Sequence, residues 1–133
     1  MSAENVDIIR RGYEEFIATG EPTEDIMAPE FVWDMSTFGA WPERQTYEGI
    51  EGMREFLATW VGAWDDFHID LEELTDLGDH VLARLRKRGR GKGSGVEVER
   101  ELFQLFTFRD DRIARLRMYE DEKEALEAAG PRE

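Results

Sequence analysis

Residues 96–119 read VEVERELFQLFTFRDDRIARLRMY and carry the clearest structural signal in the chain. Val96 to Phe108 is rich in the branched and aromatic side chains that are typical of strands. Ile113 to Tyr119 again alternates apolar with mostly basic residues. Asp110 and Asp111 lie between the two runs, where aspartates favour a tight turn. The pattern predicts a long antiparallel hairpin.

The same two-residue period extends upstream of this hairpin. Apolar and polar side chains alternate over residues 67–72 and again over residues 81–88, and Gly78 with Asp79 turns the chain between the two runs. The glycine-rich segment 89–95 is typical of a hairpin tip. Four consecutive antiparallel strands are therefore predicted, and a sheet of long strands twists and curls.

Helices are predicted before and after the four strands along the chain. Apolar side chains recur at helical spacing between residues 6 and 17, and Gly20 ends that helix. A β-prone run at 30–34 precedes a loop and a second helix at 49–64, and a short acidic helix ends the chain. Such an order segregates helices from an antiparallel sheet. We predict one α+β domain over residues 1–133, with helices packed over the concave face of a curved antiparallel sheet around one pocket.

Composition excludes several classes of function. The chain has no cysteine, so disulfides, zinc–thiolate sites and thiol nucleophiles are absent. Its net charge of −14 opposes binding to nucleic acid or to an anionic membrane surface, because both are polyanions. No run approaches the roughly 18 apolar residues of a membrane span, and the first residues lack the pattern of a signal peptide. We expect a cytoplasmic protein.

The basic residues are concentrated in one part of this acidic chain. Eleven of the 17 Lys and Arg fall between Arg84 and Arg117. A binding site for a polyanion needs such a cluster. More often, however, clustered basic residues lie on a solvated face or pair with acidic residues. We therefore expect a basic sheet face packed against acidic groups.

The chain resembles the nuclear transport factor 2-like superfamily, which includes ketosteroid isomerases and SnoaL-like polyketide cyclases. The resemblance covers nearly the whole chain and rests on the order of elements and on three motifs: DIMAPEFVWD at 25–34, YEGIEGM at 47–53 and FTFRDDRI at 106–113. These motifs indicate the fold more than the function, because one such fold hosts isomerases, cyclases, hydrolases and binding modules.

The resemblance to ketosteroid isomerases implies three catalytic positions. A tyrosine donor on the first helix matches Tyr13, seven residues before Gly20, and a catalytic base at the end of the first strand matches Asp34. A second donor, a protonated aspartate in that family, matches Gln104, whose amide also donates hydrogen bonds. A carboxylate in an apolar cavity becomes a better base, and two donors stabilise an enolate oxygen. A core role for Tyr13 and a turn-capping role for Asp34 stay open.

Further pocket residues follow from strand alternation. Alternate side chains share one face of a strand, and that face would carry Arg100, Leu102, Gln104 and Phe106, with Leu116 and Met118 across the hairpin. Trp41, in the loop above the end of the first strand, would form a lid. Arg84 matches an arginine common in the SnoaL-like branch. It would either line the cavity or belong, with Arg86 and Arg88, to a solvent or interface face.

Two functions from different classes therefore remain open. The resemblance implies a domain that binds a small hydrophobic molecule and performs cofactor-free proton transfer next to a carbonyl, as in an isomerase or a polyketide cyclase. The alternative is a non-catalytic ligand-binding or dimerisation module of the same fold. Neither function needs a metal or a cofactor. The resemblance also implies a homodimer formed through the sheet.

Overall fold

The computed structural model describes residues 2–38 and 46–130. Its elements are α1 (Ser2–Thr19), a 3₁₀ turn (Glu24–Ile26), β1 (Met27–Asp34), β2 (Thr46–Glu48), α2 (Gly49–Gly62), β3 (Trp64–Asp76), β4 (His80–Gly91), β5 (Glu97–Arg109), β6 (Arg112–Tyr119) and α3 (Glu122–Ala129). The α+β prediction is confirmed. No helix in the described ranges is long and apolar enough to cross a membrane.

The six strands form one curved, unclosed sheet in the order β2-β1-β6-β5-β4-β3. Strands β3 to β6 make the predicted antiparallel meander, with tight turns at Gly78 and at Asp110-Asp111, where φ is positive. β1 joins the meander by pairing in parallel with β6, so the sheet is mixed. This parallel pair places Asp34, the last residue of β1, beside Arg117 of β6.

The two faces of the sheet differ in what covers them. The inner face, defined here as the face packed against α1 and α2, carries the main core, which includes Phe31, Phe56, Leu85, Leu102 and Leu116. The outer face carries a smaller core of Leu82, Phe103, Leu105 and Tyr119 under Ala125 of α3. The sequence predicted all helices on one side. α3 lies on the other because these outer apolar side chains need a cover.

The boundary between α2 and β3 differs from the sequence prediction. α2 ends at Gly62, so Trp64 is the first residue of β3 rather than the last apolar residue of the helix. The indole of Trp64 lies against Gly89 of β4, where a Cβ would be 3.3 Å from the ring. This contact keeps Trp64 on the inner face, close to Lys87 of β4.

Candidate functional site

An apolar cavity lies between the inner face of the sheet and the two long helices. α1 contributes Ile9, Tyr13 and Phe16, α2 contributes Met53, Leu57 and Trp60, and the strands contribute Phe31, Trp33, Ile69, Gln104, Phe106 and Leu116. Long helices laid over a curled sheet leave such a space because their side chains cannot fill the curve completely.

Two polar side chains meet inside this cavity. The Tyr13 hydroxyl donates a hydrogen bond to Oε1 of Gln104, across 91 residues of sequence. The Tyr13 ring stands edge-on to Phe106, with centroids 6.2 Å apart, and burial raises the pKa of Tyr13 well above its ordinary value. Gln104 is 3% exposed, and its amide NH₂ donates to no other residue in the described ranges. A donor therefore remains available at an apolar wall.

Asp34 does not join this pair, because strand alternation sends its side chain to the outer face. Its neighbour Trp33 lines the cavity, whereas Asp34 accepts hydrogen bonds from the Ser36 backbone amide at 2.8 Å and from Arg115 at 2.5 Å. Burial alone would raise the pKa of Asp34, but the bonds from Ser36 and Arg115 outweigh it and lower the pKa below that of an ordinary aspartate. This geometry makes Asp34 a weak base held away from the cavity.

The hairpin register places the other predicted lining residues. Gln104 lies opposite Met118 and Phe106 opposite Leu116, as the alternation predicted. Phe106 and Leu116 line the cavity. Leu102 and Met118 are buried in the main core but are not among its lining residues.

Arg84 belongs to the outer face and not to the cavity. Its guanidinium lies 5.7 Å from the centre of the Phe103 ring and within 4 Å of three carboxylates. Those carboxylates belong to Glu73, Glu101 and Glu122. The acids that neutralise this arginine come from its own chain.

Arg100 and Trp41 are the remaining two residues that the sequence predicted to line the pocket. Arg100 bonds to Glu120 at 2.6 Å, and its guanidinium lies 5.9 Å from the centre of the Phe38 ring. It is exposed and does not line the cavity. Trp41, the predicted lid, lies outside the described residues.

The sequence reasoning missed Lys87. This residue continues the inner-face series Val81, Ala83 and Leu85 of β4, and it is only 4% exposed. Its Nζ lies 3.6 Å from the centre of the Trp64 ring and 5.7 Å from that of Trp60. Burial, together with the charge of Arg100, lowers its pKa to about 8. The two-residue period could have found it, since the odd positions of β4 are otherwise apolar.

The chemistry that the cavity offers is limited by its lining. Among the described lining residues, Tyr13 is the one with a titratable side chain. No cluster of three or more metal-ligating side chains occurs within residues 2–38 and 46–130. The lining offers apolar surface and a hydrogen-bond donor, but these residues include no carboxylate or imidazole that could accept a proton.

Comparison with known proteins identifies the family. The model of the SnoaL-like domain matches residues 9–116, so the chain belongs to the SnoaL-like domain family. The search of curated proteins finds no match.

Solved structures share the fold at low sequence identity. A putative SnoaL-like polyketide cyclase from Jannaschia sp. CCS1 is 24% identical, with a TM-score of 0.72 over 97% of this chain and 94% of that one. TerC, co-crystallised with polyporic acid, is 20% identical, with a TM-score of 0.69 over 96% and 99%. A hypothetical protein with a ketosteroid isomerase-like fold from Catenulispora acidiphila DSM 44928, in complex with trimethylamine, is 19% identical, with a TM-score of 0.63 over 86% and 88%.

Proposed function

We propose that this domain binds a small, mostly apolar molecule that carries one hydrogen-bond acceptor, such as a carbonyl oxygen. The apolar body would occupy the cavity between α1, α2 and the sheet. The acceptor would lie against the Gln104 amide, with the Tyr13 hydroxyl as a second donor once it turns from Oε1. Ligand sites are commonly apolar clefts with a few placed polar groups.

The observation that carries this proposal is the free NH₂ of Gln104 in an apolar wall. A hydrogen-bond donor that lines an apolar cavity favours a ligand that places an acceptor against it. Gln104 is 3% exposed, and one of its two functional atoms is bonded to Tyr13. The similar structures with small molecules, TerC with polyporic acid and the Catenulispora protein with trimethylamine, are consistent with a ligand in this fold.

A matched pair of ligands tests the proposal. 2-Decalone and decalin have the same apolar body, and 2-decalone adds one carbonyl. Binding is followed by tryptophan fluorescence, because Trp33 and Trp60 line the cavity. We expect the wild type to bind the ketone about 10-fold more tightly than the hydrocarbon, as one added hydrogen bond allows. Gln104→Leu should reduce that preference, and Gln104→Leu combined with Tyr13→Phe removes both donors and should abolish it.

Leu116→Met provides the control in the same cavity. This substitution nearly conserves volume and adds no donor, so it should change the affinities for both ligands equally. Equal preference for the ketone in wild type and Gln104→Leu would contradict the proposal. So would a failure of both ligands to bind.

Proton transfer next to a carbonyl is the second candidate, favoured by the Tyr13–Gln104 pair. Two donors in an apolar cavity can stabilise an enolate oxygen. This candidate lacks its predicted base in the cavity, because Asp34 is bonded to Arg115 on the outer face. Exchange of deuterium into cyclic ketones tests this candidate. Catalysis by Asp34 predicts a loss on the order of 10²–10⁴-fold in Asp34→Asn, whereas the binding function predicts equal, slow exchange in both proteins.

A homodimer through the sheet remains a proposal of its own. The outer-face arginines Arg84, Arg86 and Arg88 all pair with acids of their own chain. Their charge therefore does not require acids from a partner. Light scattering from micromolar to millimolar concentration should give the mass of a dimer, and a constant monomer mass would exclude it.

A further inference from the structure

One glycine in the wall of the cavity has no conformational reason to be there. Gly12 lies in the interior of α1. Apart from proline, glycine is the least favourable residue in a helix interior. The backbone of Gly12 is not in the left-handed region, unlike that of Gly20 just after the same helix. The backbone of α1 would therefore accept any helix-forming residue at this position.

The packing around Gly12 does not require a glycine either. A Cβ placed there would lie 3.0 Å from Cδ1 of Ile26, which is the flexible end of a side chain and can move by a few tenths of an ångström. Outside the local helix backbone and the two adjacent residues, no other heavy atom of the described residues lies within 4 Å of that Cβ. Gly52 of α2 is different, because a Cβ there would lie 2.8 Å from the backbone of Tyr47. Close packing thus requires the glycine at Gly52, whereas the glycine at Gly12 leaves space open.

The open space beside Gly12 belongs to the cavity. Gly12 and Ile26 both line it, and so does Tyr13, the next residue along α1. Tyr13 donates its hydrogen bond to Gln104. A space bounded by Gly12 and Ile26 therefore adjoins a residue that carries one of the two proposed donors. A ligand whose acceptor lies against that pair has room to extend its apolar body at Gly12.

We propose that Gly12 sets the size of the ligand, so that the cavity accepts a body of two fused rings rather than one. The ring that carries the acceptor would lie at Gln104, and the second ring would occupy the space that a side chain at position 12 would fill. This inference rests on the proposed function and adds to it the class of ligand. A methyl group at Gly12 would take up part of this space and would also press on Ile26.

Two ketones of different size test this role. 2-Decalone and cyclohexanone carry the same carbonyl group, but 2-decalone has a second ring. Binding is followed by the fluorescence of Trp33 and Trp60, which line the cavity. Wild type should bind 2-decalone about 100-fold more tightly than cyclohexanone, because about four more carbon groups are buried.

The substitution Gly12→Ala should reduce this preference. The affinity for 2-decalone should fall about 10-fold, because the second ring and the new methyl group compete for the same space. The affinity for cyclohexanone should change by less than about 2-fold, since a single ring can leave that space empty. Ile26→Val removes Cδ1, the atom that the methyl group would press on. Added to Gly12→Ala, it should restore the affinity for 2-decalone by about 3-fold or more.

Gly62→Ala provides a matched control in the other long helix. Gly62 is the last residue of α2 and does not line the cavity. No described atom outside its own surroundings in the chain lies within 4 Å of the place that its Cβ would take. Both affinities should therefore equal those of wild type.

The possible outcomes separate this inference from the proposed function. If Gly12→Ala lowers the affinities for both ketones equally, or lowers neither, Gly12 does not set the ligand size, although the proposed function is unaffected. If wild type binds neither ketone, the proposed function is wrong and this inference is wrong with it. Thermal unfolding gives the second readout: Gly12→Ala should melt no lower than wild type, because alanine favours a helix more than glycine does. A lower melting temperature with an unchanged ratio of affinities would mean that the glycine is needed for packing alone, and would overturn the inference.

Discussion

The inner and outer faces of the sheet use polar side chains in opposite ways. On the outer face, charged groups are numerous and pair with one another, as in the pairs Asp34–Arg115, Arg86–Glu72 and Arg88–Asp70, although the buried Nε atoms of Arg84 and Arg117 have no hydrogen-bond partner among the described residues. On the inner face, polar groups are few: the Gln104 amide NH₂ donates to no described residue, and the Lys87 amine lies on aromatic rings. Unused hydrogen-bonding capacity within an apolar wall marks the face on which a ligand is expected.

The comparison separates two residues that the family resemblance had grouped together. Asp34 and Gln104 are both almost fully buried, yet Asp34 is bonded to Ser36 and Arg115, whereas Gln104 faces the cavity. Burial alone would have assigned them the same role. The two side chains differ in their partners: Asp34 is held by Ser36 and Arg115, and Gln104 is the residue for which we propose a contact with a ligand.

The largest effect is expected where the outer-face carboxylate is removed. Asp34→Ala should lower the free energy of unfolding by about 2 kcal/mol, because its carboxylate accepts hydrogen bonds from the Ser36 amide and from Arg115 and both are lost. Asp34→Asn should cost about half as much, since its amide oxygen still accepts from Ser36. Urea unfolding at pH 7 measures both values, and the affinity for 2-decalone should stay unchanged.

The stability at acidic pH provides a second test of the Asp34 carboxylate. The pKa of Asp34 is lowered in the folded protein, so its contribution is present above the unfolded pKa of about 4 and is lost as the pH falls through the folded value. The difference in stability between wild type and Asp34→Ala should therefore shrink below about pH 4. If Asp34→Ala is as stable as wild type at pH 7, the distinction between the two faces is wrong.

A smaller effect of opposite sign is expected on the inner face. The pKa of Lys87 falls to about 8 in the folded protein, so between pH 8 and about 10 the unfolded chain binds more protons and stability rises with pH. Below pH 8 the cost of the buried ammonium is fully present. Lys87→Met removes it and should raise the stability at pH 7 by on the order of 1 kcal/mol. A parallel pH dependence of both proteins over pH 8–10, in thermal unfolding, would contradict the assignment.

The smallest effect is expected for a single pair on the outer face. Arg88 and Asp70 are 3.2 Å apart, and both side chains are about half exposed. Exposed ion pairs contribute about 0–1 kcal/mol, so Arg88→Gln should change the free energy of unfolding by less than about 0.5 kcal/mol. A loss as large as that of Asp34→Ala would mean that the outer-face charges act as one network.

Local patterns account for most of the fold, and their limits are visible in particular residues. The two-residue period predicted β3 to β6, and Gly20 with φ of 77° marks the end of α1 as expected. The side of the sheet that α3 covers was not predictable from its own sequence. It depends on Leu82, Phe103 and Leu105, which alternation alone places on an outer face without saying what packs there.

The site was predicted in part. Tyr13 and Gln104 meet as the family resemblance implied, because one lies on the inner stripe of α1 and the other on the inner face of β5. We assigned Asp34 to the catalytic site because it lies at the end of β1. Its alternation with Trp33, which lines the cavity, already indicates that its side chain lies on the other face of the sheet. Lys87 was missed because its charge grouped it with the neighbouring arginines instead of with the apolar period.

The amide resonance of Gln104 tests the central claim most directly. In ¹⁵N-labelled protein, saturating 2-decalone should shift the side-chain NH₂ signals of Gln104, because its carbonyl accepts from that group. Decalin should shift the methyl signals of cavity residues such as Leu57 and Ile69, and should shift the amide much less. If 2-decalone saturates the cavity and shifts those methyl signals while the Gln104 amide responds no more than it does to decalin, the assignment of this face as an acceptor-recognising ligand site is wrong.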